Sequence, residues 1–119
     1  MKNTFAGVLL FLALGGAAAF AATEIQIRDF AFVPATVVIE KGENVKWTNL
    51  DAVVHTSTSD TGKWNSGDLT HGKSFEFRFG AAGTFKYRCS YHVAMKGTVR
   101  VTETPVEPNS LGRVKALFR

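Results

Sequence analysis

Lys73-Ser74-Phe75-Glu76-Phe77-Arg78-Phe79-Gly80-Ala81-Ala82-Gly83-Thr84-Phe85-Lys86-Tyr87-Arg88 sets the fold class of this chain. Phe75, Phe77 and Phe79 alternate with Glu76 and Arg78, the period-two pattern of a strand with one face buried. Four small residues, Gly80 to Gly83, break the run, and Phe85 and Tyr87 then resume it against Lys86 and Arg88. The segments on either side read the same way. Glu24-Ile25-Gln26-Ile27-Arg28 alternates; Thr36 to Glu40 is β-branched and stops at the turn cluster Lys41-Gly42-Glu43-Asn44. Val45-Lys46-Trp47-Thr48 alternates up to Asn49-Leu50-Asp51, and Gly97 to Val101 sets Val99 and Val101 on one face. No stretch of useful length has helical periodicity. Six or seven short strands so closely spaced predict an all-β antiparallel sandwich or barrel, with the Phe-rich faces inside and Pro34 in a turn or at an edge. Thr56 to Thr70, rich in Ser, Thr, Asp and Gly, is expected to form loops with a short turn of helix, and Trp64 to cap the core.

The chain has 119 residues and a formal charge of +4, which invites a polyanion-binding reading. The charge is not where such a reading needs it. Residues 22–103 carry a balance of +1; the rest belongs to Lys2 and to residues 104–119, with Arg113, Lys115 and Arg119 against Glu107. The body also lacks basic residues interleaved with aromatics, so nucleic acid is not an expected partner.

Met1-Lys2, the apolar run Phe5 to Phe20, and Ala19-Phe20-Ala21 describe a secretory signal peptide over 1–21, cut after Ala21. The alternative is an uncleaved anchor, since residues 5–22 are free of charge. On the cleaved reading the mature chain has no stable membrane insertion and acts in the periplasm as a monomer. It comprises one domain, 22–103, and a basic tail, 104–119. Pro105, Pro108, Asn109 and Gly112 mark the tail as a flexible linker. Leu111, Val114, Leu117 and Phe118 offer a short amphipathic helix as the less favoured alternative.

The chemistry is concentrated in Tyr87-Arg88-Cys89-Ser90-Tyr91-His92-Val93-Ala94-Met95-Lys96-Gly97. A thiolate, an imidazole and a thioether lie within seven residues, between two strands, and His55, expected to open a strand after Val53-Val54, supplies a second imidazole. One cysteine excludes an internal disulfide and every multi-thiolate zinc or iron–sulfur site. Two His, one Cys and one Met are the ligand set of a blue-copper centre, because thiolate and thioether select copper over hard ions. Apart from Met1 and His71, these four are all the His, Cys and Met residues in the chain, which makes chance clustering a poor account. His71 has no partner nearby in sequence and reads as a surface turn residue.

From Phe30 to Val101 the chain resembles the cupredoxin family, in particular its amicyanin- and plastocyanin-like blue-copper proteins. The features that carry the resemblance are Phe32-x-Pro34, Lys41-Gly42, Val45-x-Trp47-x-Asn49, His55, Ser66-Gly67 and Gly83-Thr84-Phe85-x-Tyr87-x-Cys89-x-x-His92-x-x-Met95-x-Gly97-x-Val99. The short Cys-x-x-His-x-x-Met loop is amicyanin-like. The resemblance implies a Greek-key β-sandwich holding one type 1 copper ion, with His55, Cys89 and His92 as equatorial ligands and Met95 as the weak axial one. It also implies single-electron transfer to a transient redox protein such as a cytochrome, a dehydrogenase or an oxidase. Two residues depart from the family pattern. Thr56 stands where an Asn usually ties the two ligand loops, and its hydroxyl is placed to make part of that link. Tyr91 replaces a proline, so its N–H becomes a possible donor to the Cys89 sulfur.

Three other functions compete. A copper carrier or storage protein would be expected to carry Met- and His-rich stretches, and here only Met1 and Met95 occur. An enzyme with a Cys89/His92 nucleophile pair lacks an orienting acid and an oxyanion donor. Structural zinc leaves Met95 unexplained. The expectation is therefore an electron carrier and not an enzyme.

Overall fold

The computed structural model describes residues 21–103. The leader and tail expectations fall outside them. Eight strands follow in order: β1 (Thr23–Arg28), β2 (Ala31–Val33), β3 (Thr36–Glu40), β4 (Asn44–Asn49), β5 (Thr58–Ser59), β6 (Ser74–Arg78), β7 (Gly83–Arg88) and β8 (Lys96–Thr102). They build two four-stranded sheets, β2-β1-β4-β6 and β3-β8-β7-β5, packed as a sandwich with no helix among the described residues.

The alternating residues behave as their pattern requires. Ile25 and Ile27 of β1, Val45 and Trp47 of β4, Val37 and Ile39 of β3, Tyr87 of β7, and Val99 and Val101 of β8 turn inward and form one core. Trp64 joins them from the long connection after β5, stacked on Trp47 with ring centroids 5.6 Å apart. Pro34 lies in the bend between β2 and β3, where its missing N–H costs nothing.

Three expectations need correction. The sandwich is mixed, not purely antiparallel: β1 pairs with β4 in parallel, and so does β3 with β8. Residue alternation is the same in both arrangements and cannot tell them apart. Residues 56–70 form no helical turn. They hold the two-residue strand β5 and two isolated bridges, His55 with Leu69 and Thr58 with Asn65. His55 does not open a strand either, but lies in the segment that crosses from β4 in one sheet to β5 in the other.

One turn is unusual. Arg28 pairs with Ala31, so Asp29 and Phe30 alone connect β1 to β2. Their φ angles are 53° and 57°, the left-handed pair of a type I′ hairpin turn, which favours Asn-Gly or Asp-Gly. A phenylalanine at the second position costs roughly 1–2 kcal/mol relative to glycine and has to be held there by something else.

Candidate metal centre

β7 ends at Arg88 and β8 begins at Lys96, so Cys89 to Met95 is the connection between two adjacent antiparallel strands. It is tied to itself: Cys89 N–H donates to the Met95 carbonyl at 3.0 Å, and Met95 N–H to the His92 carbonyl at 2.8 Å. Cys89 is fully buried, Met95 is buried at the far end of the loop, and His92 is half-buried. His55 meets this loop from the crossing segment. It is held by a two-way backbone pairing with Leu69, at 3.1 and 2.8 Å, and is fully buried.

Cys89 Sγ lies 3.6 Å from Nδ1 of His55 and 3.6 Å from Nδ1 of His92. Two donors bound to one ion at about 2.0–2.3 Å, with about 110–120° between the bonds, are themselves about 3.6–3.8 Å apart. The three atoms are thus spaced as ligands of one small transition-metal ion. A buried thiolate with two imidazoles, and a buried thioether at the end of the same loop, is the donor set of type 1 copper, and copper is the ion it fits.

Surrounding hydrogen bonds fix these donors. Thr56 N–H points at Cys89 Sγ at 3.4 Å, and Thr56 Oγ1 accepts Ser90 N–H at 2.9 Å, so one residue grips both the sulfur and the loop behind it. The expected bond from Tyr91 N–H to the sulfur is not found among the described residues; Thr56 fills that role. The Tyr91 hydroxyl instead donates to Asp68 at 2.6 Å, and this bond holds the phenol proton above its ordinary value. On the outer side of His55, Nε2 lies 2.8 Å from the Asp51 carboxylate. Burial pushes the Asp51 carboxyl up. The Phe30 N–H, the His55 ring and the Asp29 N–H together outweigh that and keep it below the usual carboxylate value. The fully buried Asn49 orders this corner by donating to the carbonyls of Val53 and Leu69 and accepting Asp51 N–H.

His55, Cys89 and His92 therefore converge, while His71 sits apart on the surface as expected, with Nδ1 3.2 Å from the Asp51 carbonyl. Sequence reasoning gave Asp51 and Phe30 no role at the site, and Asn49 entered only as part of the family pattern. A carboxylate four residues before His55 was the one available signal. Beside half-buried His92 the surface is apolar: Phe30 packs on its ring, and Phe30 and the chain neighbours Tyr91 and Val93 are all at least 52% exposed.

Known proteins share this arrangement of sequence and fold. A family model described as a cupredoxin-like domain matches residues 3–101. Amicyanin-alpha of Methylorubrum extorquens is 33% identical over 84 residues, 66% of this chain and 71% of that protein. Plastocyanin of Scenedesmus fuscus is 35% identical over 83 residues, 59% of this chain and 85% of its own length. Among solved structures, a purple cupredoxin from Nitrosopumilus maritimus superposes with a TM-score of 0.62 at 33% identity, covering 67% of this chain and 99% of that one. A family match across most of the sequence agrees with the sandwich and with the donors it brings together, and this chain belongs to the cupredoxin family.

Proposed function

We propose that this protein is a one-electron carrier that shuttles electrons between redox partners, with His55, Cys89 and His92 as equatorial copper ligands and Met95 as a weak axial one. The observation that carries the reading is the triangle of Cys89 Sγ and the two Nδ1 atoms, drawn together by the fold and braced by surrounding hydrogen bonds. Bound copper supplies the Cu(I)/Cu(II) couple. The protein supplies a cage that moves little between the two charge states: the loop is closed by its own backbone bonds, and Thr56 N–H draws electron density from the sulfur, favouring the reduced form.

The exposed apolar residues around His92 support outer-sphere exchange with a transient redox protein, since such a face desolvates at little cost. Donors held by fixed hydrogen bonds suit retention of an ion better than its transfer, which argues against a copper carrier or storage role. The Lys2–Phe20 leader pattern and the Ala19-Phe20-Ala21 site support export to the periplasm, and the near-neutral body argues against affinity for nucleic acid.

The test is to add Cu(II) to the purified protein and record visible and EPR spectra. An intense thiolate charge-transfer band with narrow copper hyperfine splitting is expected. A pale, tetragonal copper spectrum would overturn the reading in favour of storage or carriage.

A further inference from the structure

Three observations meet at the β1–β2 turn. The Asp51 carboxylate accepts the backbone N–H of Asp29 at 2.7 Å and of Phe30 at 3.0 Å, and the oxygen that takes Phe30 also lies 2.8 Å from His55 Nε2. Asp29 and Phe30 hold left-handed φ angles in a turn whose second position suits glycine. The Phe30 ring, 52% exposed, packs edge-on against both imidazoles, with centroids 5.1 Å from His55 and 4.9 Å from His92. The two imidazoles are themselves 5.1 Å apart, so the three rings form a nearly equilateral triangle.

We propose that Asp51 and Phe30 are positioning residues for the metal site: Asp51 fixes the proton of His55 on Nε2 and, through the same carboxylate, clamps the turn that seats the Phe30 ring against both His55 and His92. The first half follows from donor chemistry. An ionised carboxylate only accepts, so Nε2 must donate, and Nδ1, the atom facing Cys89 Sγ, is left with its lone pair free. The second half follows from the turn. Glycine would satisfy the backbone at position 30 without strain, yet a large side chain stands there, half in solvent, touching two imidazoles. A residue that opposes its own backbone geometry and leaves half its surface in solvent is accounted for by what its ring touches. The clamp thus joins the His55 tautomer and the spacing of the two rings into one unit.

This inference rests on the reading of His55 and His92 as ligands, and the experiment separates the two. Phe30→Gly and Asp51→Ala are prepared in the full chain and compared with wild type, first without metal by NMR of the histidine ring nitrogens, then by copper titration against a competing chelator. In the metal-free wild type, His55 is expected as a single Nε2–H tautomer. Asp51→Ala should give mixed tautomers and fast exchange of the Phe30 amide, with copper affinity roughly 10–100-fold lower. Phe30→Gly should melt no lower than wild type, because glycine suits the turn, yet bind copper about tenfold more weakly and keep the His55 tautomer. A purely structural role for Phe30 predicts the reverse, a lower melting temperature with unchanged affinity, and that result would overturn the proposal. So would unaltered tautomer and affinity in Asp51→Ala. If wild type itself gives no thiolate band with copper, the ligand reading fails instead.

Discussion

Thr56 holds the metal loop from two directions: its oxygen accepts Ser90 N–H at 2.9 Å while its own N–H meets Cys89 Sγ at 3.4 Å. The two residues it joins are neighbours in the ligand loop, whereas Thr56 follows His55 in the crossing segment, so the link spans the two parts of the chain that supply donors. Thr56 itself is 3% exposed. Replacing it by valine keeps the shape but strands the Ser90 N–H, and a loss of about 1–3 kcal/mol in unfolding free energy is expected. Serine, which retains the oxygen, should recover most of it. Urea unfolding of the three metal-free proteins measures the difference; a valine variant as stable as wild type would remove Thr56 from this role.

Gly97 lies directly across from Tyr87 in the β7–β8 pair, and a Cβ at position 97 would land on the Tyr87 ring and hydroxyl. The neighbour cannot yield easily, because Tyr87 is itself packed against Phe32, Trp47 and Trp64. Gly97→Ala should therefore destabilise the domain by about 1–3 kcal/mol through overpacking. Thermal melts of the metal-free chain test this, and an unchanged midpoint would mean that the sheet opens there more readily than its contacts suggest.

Among the described residues, the Tyr87 hydroxyl and the Trp47 indole nitrogen are both buried without a hydrogen-bond partner. Tyr87→Phe removes a polar atom that gains nothing from being inside, so stability at neutral pH should hold or rise, by up to about 1–2 kcal/mol. The same substitution alters the alkaline limb. Burial pushes the phenol well above its ordinary value of 10.0, and the nearby Trp47 indole offsets only part of this. Above pH 10 the unfolded chain releases this proton while the folded one keeps it. The stabilising contribution is thus present below that pH and drains away as the pH rises past it. Unfolding free energies at pH 8 and pH 11 should differ less in the Phe variant than in wild type; equal differences would refute the assignment.

Val93 is the most exposed large apolar residue beside His92, at 64%. Val93→Glu sets a charge on the apolar face without touching the donors. The blue band should persist, while electron exchange with a redox protein that docks there should slow about tenfold, equivalent to roughly 1.4 kcal/mol in the encounter. Stopped-flow kinetics read this, and unaltered rates would move the docking face elsewhere.

The local patterns in the sequence carried the reading a long way. Alternation in Lys73–Phe79 and Thr84–Arg88 marks strands that end within a residue or two of β6 and β7, and the Cys89–Met95 loop falls between β7 and β8 as its spacing predicts. Long-range geometry leaves no such trace. Ile25 and Ile27 look the same whether β1 runs parallel or antiparallel to β4. The left-handed backbone of Phe30 runs against its own residue type and is set by Asp51, which is distant in sequence. Asp51 reads as an ordinary turn acid until the fold brings it to Asp29, Phe30 and His55.

The two parallel pairings have a consequence for how the site comes into being. Among the described residues β3 has one sheet neighbour, β8, which is also the last strand, so that pairing cannot form until nearly the whole domain has been synthesised. Pairings between sequence-distant strands also delay folding, toward milliseconds to seconds for all-β domains of this kind. Until β8 docks, the lone thiol of Cys89 and both imidazoles belong to an unfinished chain. Copper acquisition is thereby deferred to the completed domain, and a nascent chain lacks the preset donor triangle that would hold an ion tightly.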